Sequence, residues 1–105
     1  MARNPSTDRQ GGPFPLATLV AVWNTAKPEQ GHDPAYVRKD ACGAWIHWDK
    51  YGNTTPNGYG WEVDHILAVA NGGSDDLSNL QPLQWQNNRA KGDKLHWTCE
   101  VKAAA

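Results

Sequence analysis

The chain has 105 residues and a mass of 11.6 kDa, which is room for one domain and not two. Ten Lys and Arg against eleven Asp and Glu leave a formal charge of −1, excluding a globally basic coat for nucleic acid but not a local basic site. Mean hydropathy is −0.72, and the longest apolar run, Leu16 to Trp23 with Thr18 inside it, lasts eight residues, far short of the ~20 that cross a bilayer.

No charged n-region precedes that run in signal-peptide style, so a cytoplasmic chain without a membrane partner is expected. Cys42 and Cys99 stand alone, and without a C-x-x-C pair a Cys₄ zinc site cannot be built. One disulfide could form if the fold brings them together, but reduced thiols are the expected state for a chain without a leader. Six Trp, three Tyr and one Phe stand against one Met, in a chain that is 39% hydrophobic. Aromatic side chains are therefore expected to supply much of a small core.

In chain order, Met1 to Pro13 is polar and turn-rich and reads as a disordered arm, with the domain proper spanning 14–105. Leu16, Leu19, Val20 and Trp23 recur at helical spacing, predicting an amphipathic helix over 15–27 with Pro15 in its first turn and Pro28 beyond its end. Gln30 to Asp33 reads as a loop, and Tyr36 to Asp40 as a short helical turn. Ala44 to Asp49 predicts a strand, Lys50 to Gly60 a long loop rich in Gly, Pro and Asn, and Trp61 to Leu67 a returning strand. These two strands are expected to pair antiparallel, each carrying Trp. Asn71-Gly72-Gly73-Ser74 marks a turn that Asp75-Asp76 extends. Asn79 to Leu83 predicts a short strand that Pro82 confines to an edge, and Gln84 to Lys91 a helix ended by Gly92. The final Ala103 to Ala105 reads as unstructured.

The chemistry concentrates in Glu62-Val63-Asp64-His65, Gly72-Gly73, Asn79-Leu80 and Asn87-Asn88-Arg89-Ala90-Lys91. Asp64 is a hard oxygen ligand beside a His that can take a proton near neutral pH. Asn88 offers a second, neutral oxygen. Arg89 and Lys91 put positive charge beside it, with Lys94 following. A hard-cation site, a base and a phosphate clamp are the three things that phosphodiester hydrolysis needs. Adjacent strand side chains point to opposite faces, so Asp64 and His65 can share a site only where their strand bends or ends.

These residues resemble the HNH endonuclease motif, the ββα-metal (His-Me finger) unit of a large nuclease family. The resemblance covers about 44–93, with its core in 61–93. His65 stands at the first H, Asn79 at the central N and Asn88 at the last position, which in the family is His or Asn; the intervals from His65 are 14 and 23 residues. The Gly-Gly turn, Asp76-Leu77-Ser78-Asn79-Leu80 and Asn88-Arg89-Ala90-Lys91-Gly92 agree with the family too.

The resemblance implies a small α+β domain with that core, an added strand and an N-terminal helix. It implies that Asp64 and Asn88 bind one divalent metal and that His65 is the general base. Asn79 would tie the loop together and help orient His65, Glu62 would support the metal ligands from behind, and Arg89, Lys91 and Lys94 would contact phosphate. Two departures stand out. The zinc knuckles of many small members are missing, so Trp45, Trp48, Trp61 and Trp85 become the candidate scaffold. With Asn at the third position only hard oxygen ligands remain, which favours Mg²⁺ or Mn²⁺ over Zn²⁺.

Outside the motif each residue has a plainer reading. His65 alone would be a polar surface or satisfied core residue, Asp64 a cap, Asn79 a turn former and Asn88 a helix surface residue. Arg89, Lys91 and Lys94 alone would form a solvated helix face. His32, His47 and His96 have no motif position and read as structural or surface; Asp75-Asp76 reads as solvated loop. The ordered set as a whole predicts a metal-dependent endonuclease acting on DNA. RNA as substrate, a non-catalytic nucleic-acid-binding module on the same fold, and a toxin or effector nuclease with an immunity or accessory partner are the alternatives.

Overall fold

The computed structural model describes residues 3–102; residues 1, 2 and 103–105, the outer ends of the expected arm and tail, lie outside the described residues. The elements run α1 (Leu16–Trp23), β1 (Lys27–Pro28), β2 (Val37–Lys39), β3 (Trp45–His47), β4 (Trp61–His65), β5 (Leu80–Gln84) and α2 (Trp85–Lys91), with 3₁₀ turns at Trp48–Lys50, Val69–Asn71 and Leu77–Asn79. The architecture is α+β, as the motif implies: β1-β2-β3 form one antiparallel sheet and β4-β5 a second.

α1 begins after Pro15, whose fixed φ suits a helix entrance, and ends short of the expected Lys27. A residue before proline is pushed out of the helical region. Lys27 and Pro28 accordingly pair with Lys39 and Arg38 as β1. That pairing corrects the reading of Tyr36 to Asp40 as a helical turn, because Val37 to Lys39 is the central strand of the sheet. The expected partnership between β3 and β4 is also corrected. β3 pairs with β2, through Val37↔His47 and Lys39↔Trp45. β4 pairs instead with β5, from Trp61↔Gln84 to His65↔Leu80. Loop 51–60 folds back so closely that a Cβ on Gly60 would sit 1.7 Å from the Asn53 carbonyl. The segments flanking β3 and β4 are joined by hydrogen bonds from His47 N–H to Tyr59 O, from Gly52 N–H to Trp61 O and from Trp61 Nε1 to Trp48 O.

The core gathers Phe14, Val22, Trp23, Ala26, Ile46, Trp61, Val63 and Leu80, with Leu19, Trp48 and Tyr51 against it. Trp61 is completely buried and its ring is met by Trp23 at 5.2 Å, Trp48 at 5.8 Å and Tyr51 at 4.9 Å between centroids. Aromatic packing thus does replace zinc knuckles as the scaffold, but the set differs from the expected one. Trp23 joins Trp48 and Trp61, whereas Trp45 lies outside the cluster beside Lys39 and His32, and Trp85 opens α2 next to Arg89. Trp85 and Trp45 read as core only because their neighbours' spacing could not show which face each strand or helix end turns inward.

One buried carboxylate locks the two sheets together. Asp40 Oδ1 accepts from the N–H of Cys42 and Ala44, and Oδ2 accepts from the N–H of Gln84 and from Asn87 Nδ2. Asn87 carries the lock on to the C-terminal segment by accepting from Glu100 and Val101 N–H and donating to Val101 O. Cys42 and Cys99 close the same corner as a disulfide, which corrects the expectation of reduced thiols. The start of α2 is therefore held from three directions, and α2 carries half of the site.

Candidate active site

β4 alternates. Trp61 and Val63 enter the core, while Glu62 and Asp64 face α2, where each finds its partners. Glu62 accepts from Asn88 Nδ2 at 2.9 Å and from Arg89 Nε and Nη2 at 3.2 and 2.9 Å. Asp64 Oδ1 lies 3.1 Å from Lys91 Nζ, and its Oδ2 accepts from Gln81 Nε2 at 2.9 Å. α2 can present Asn88, Arg89 and Lys91 to one strand because Gln84 caps it, its Oε1 accepting from Gln86 and Asn87 N–H. Gly92 ends it with its N–H on Asn88 O.

His65 is the last residue of β4, and there the alternation rule lapses. Asp64 and His65 line the same cavity of about 340 Å³, together with Asn88, Arg89, Val69 and Asp93. The strand end is what lets neighbouring side chains serve one site. The opposite wall comes from Arg3 to Thr7, within the segment expected to be a disordered arm. It is instead pinned in place. Ser6 Oγ accepts from Val63 N–H at 2.9 Å and bonds to Tyr51 Oη. Asp8 forms a turn with Gln10 and Gly12, and Thr7 bridges Pro13. No periodicity marks this segment, since its structure consists of irregular side-chain hydrogen bonds, some within the segment and others to Val63, Tyr51 and Asp75 far along the chain.

Asn79 works as a brace. Its Oδ1 accepts from Leu67 N–H, and its Nδ2 donates to Leu67 O and Ser74 O. It thus fastens both ends of loop 67–74. Gly73 permits that closure: a Cβ there would meet Leu67 O at 1.7 Å and Asn79 Nδ2 at 2.9 Å. Asn79 makes no hydrogen bond to His65. The His65 ring meets Asp75 instead, whose Oδ1 lies 2.7 Å from Nε2. Asp75 stays exposed in its loop, as read, and the bond to His65 is an addition to that reading. A carboxylate in a turn carries no sequence signal of a partner ten residues back.

Electrostatics follow from burial. Desolvation pushes the Asp64 carboxyl above the usual carboxylate range, against the opposing pull of Gln81 and Lys91. Partial burial tends to raise Asp75 as well, but hydrogen bonds from His65 and from Arg9 N–H outweigh it and leave Asp75 low. The hydrogen bond to Glu62 raises Arg89 further above its already high value.

The structure separates the expected phosphate contacts. Arg89 lines the cavity with its side chain 46% exposed while gripping Glu62. Lys91 is buried, with Nζ also donating to His65 O at 2.8 Å, so its ammonium serves Asp64 and not the solvent face. Lys94 is exposed and donates to Ala90 O, away from the cavity lining. Among the described residues no group of three or more His, Cys, Asp and Glu is placed to hold a metal ion. Two oxygen donors remain on one cavity. Glu62 can only accept, so it takes the amide N–H of Asn88. Asn88 Oδ1 is left with no hydrogen-bond partner among the described residues. Asp64 retains lone pairs beyond those used by Gln81 and Lys91.

A two-stranded hairpin leading directly into a helix, with Asp64-His65 at the strand end, Asn79 bracing the loop and Asn88 on the helix, defines a ββα domain of the nuclease type. The HNH endonuclease family model matches residues 41–94, just over half of the chain, and the chain belongs to the HNH endonuclease family. Searches of curated proteins and of solved structures find no match.

Proposed function

We propose that this member of the family is a metal-dependent endonuclease that hydrolyses phosphodiester bonds of DNA. One observation carries the reading: Asp64, His65 and Asn88, which lie up to 24 positions apart in sequence, line a single cavity. Asp64 and Asn88 Oδ1 are the residues that would hold a divalent cation, Mg²⁺ or Mn²⁺ by the hardness of two oxygen donors. When bound, such an ion supplies charge stabilisation to the phosphate and to the leaving oxygen.

The chain's own residues do the rest. His65 takes the proton from the attacking water. Glu62 fixes the Asn88 amide so that its oxygen, not its nitrogen, faces the cavity. Arg89, steadied by Glu62, presents its remaining N–H donors to a backbone phosphate. Lys91, 3.1 Å from Asp64 Oδ1, opposes the upward push of burial on that carboxyl. A non-catalytic binding module would not need His65 held at this cavity.

The test is cleavage of supercoiled plasmid and single-stranded DNA with Mg²⁺, Mn²⁺ or EDTA, comparing the wild type with His65→Ala. Metal-dependent cutting that disappears in the variant is the expected result. A wild type that shifts DNA without cutting it under any metal would replace this reading by the binding module.

A further inference from the structure

His65 has a single hydrogen-bonding partner for its ring among the described residues, the Asp75 carboxylate at 2.7 Å from Nε2. Asp75 is itself held. Its Oδ1 and Oδ2 accept from Arg9 N–H at 3.1 and 3.2 Å, and it directly follows Ser74, whose carbonyl is tied to Asn79. On another side, the Phe14 ring packs against the imidazole at 5.9 Å. An ionised carboxylate only accepts hydrogen bonds, so a neutral imidazole bonded to it must carry its proton on Nε2. The lone pair then sits on Nδ1, which has no hydrogen-bond partner among the described residues.

We propose that Asp75 is the positioning residue of this site, holding neutral His65 in the Nε2–H tautomer so that Nδ1 is the atom that takes the proton. The proposal rests on the reading of His65 as general base. The acceptor is charged, so it also favours the imidazolium that forms once Nδ1 has taken the proton from water. The N-terminal segment becomes part of the device, since the Arg9 amide keeps the carboxylate from swinging into solvent.

The experiment is long-range ¹H–¹⁵N NMR of the imidazoles in the full chain, in EDTA and at a pH where imidazoles are neutral. The His65 signals are assigned by their loss in His65→Gln. The wild type is expected to show Nε2 protonated and Nδ1 bare. Asp75→Ala is expected to show both tautomers, and to lose roughly 10- to 100-fold in kcat with KM unchanged, the scale of removing an orienting partner behind a functional His. Asp75→Asn, whose amide oxygen still accepts from Nε2–H, is expected to keep the wild-type tautomer and recover part of kcat. A wild type with the proton on Nδ1, or an Asp75→Ala tautomer identical to wild type, overturns the proposal. Absence of cleavage by the wild type would strike the nuclease reading alone, because the NMR signature decides the role of Asp75 without turnover. Should Asp75→Ala fail to fold, the wild-type tautomer and Asp75→Asn carry the decision.

Discussion

Lys91→Met tests how the site tolerates a buried carboxylate. The Lys91 and Asp64 side chains are only 4% and 5% exposed, with 3.1 Å between Nζ and Oδ1. Removing one partner of a buried pair costs about 3–5 kcal/mol, because the remaining charge is left uncompensated. Gln81 still donates to Asp64 and Met fills most of the lysine stem, so the lower end, about 3 kcal/mol, is expected. The loss should depend on pH with a defined sign. Burial already raises Asp64 in the wild type, and loss of the ammonium raises it further. A carboxyl with a raised folded-state pKa favours the fold below its unfolded value of about 3.9 and loses that advantage as pH rises through the folded value. The deficit of Lys91→Met should therefore be full at neutral pH and shrink as pH falls toward 4. Urea unfolding in EDTA across that range measures it. Adding Asp64→Asn should recover much of the loss at neutral pH, since the pair is then removed together. A deficit under about 1 kcal/mol that does not change with pH would refute the ion-pair account.

Other perturbations probe separate parts of the structure. Reducing the Cys42–Cys99 bridge, which closes a separation of 57 residues, should lower stability by about 4 kcal/mol on the loop-entropy model, read as a drop in the urea midpoint with and without reductant. Asn79→Ala removes three hydrogen bonds that close loop 67–74, about 0.5–1.5 kcal/mol each; cleavage should be lost while far-UV circular dichroism stays near wild type, and intact activity would show that the brace is dispensable. Hydrogen bonds from His65 and Arg9 outweigh partial burial and hold Asp75 low, so its contribution is present above the unfolded value of about 3.9 and lost as pH falls through the lowered folded value. The melting-temperature gap between wild type and Asp75→Asn should accordingly narrow under acid, and a gap constant with pH would contradict it.

Much of the site was legible before the fold, for a local reason. The His65, Asn79 and Asn88 intervals, the Gly-Gly turn and the Arg89–Gly92 helix end lie within one hairpin–helix unit. In such a unit, strand period, turn chemistry and helix termination follow from near neighbours in the chain. The same locality made β5, α2 and α1 readable, and the Trp-rich composition announced a core of rings. Lys91 shows where local reading stops. Its spacing suits a solvated face equally well, and only the approach of β4 turns it inward to Asp64.

Apart from the early end of α1, the main corrections involve partners distant in the chain. β3 turns from β4 to β2 because β2, written as a helical turn, found an edge on either side. Arg3 to Arg9 acquires structure from Val63, Tyr51 and Asp75, and Asp40 from Gln84 and Asn87. The bridge between Cys42 and Cys99 depends on the same corner. The sequence by itself determined which groups are able to do the chemistry, since residue type and short-range geometry set donor hardness, basicity and turn closure. The tertiary structure alone decided which carboxylate faces which base and which cation is spent on burial, because such pairings depend on chain segments brought together by packing, and no periodicity encodes them.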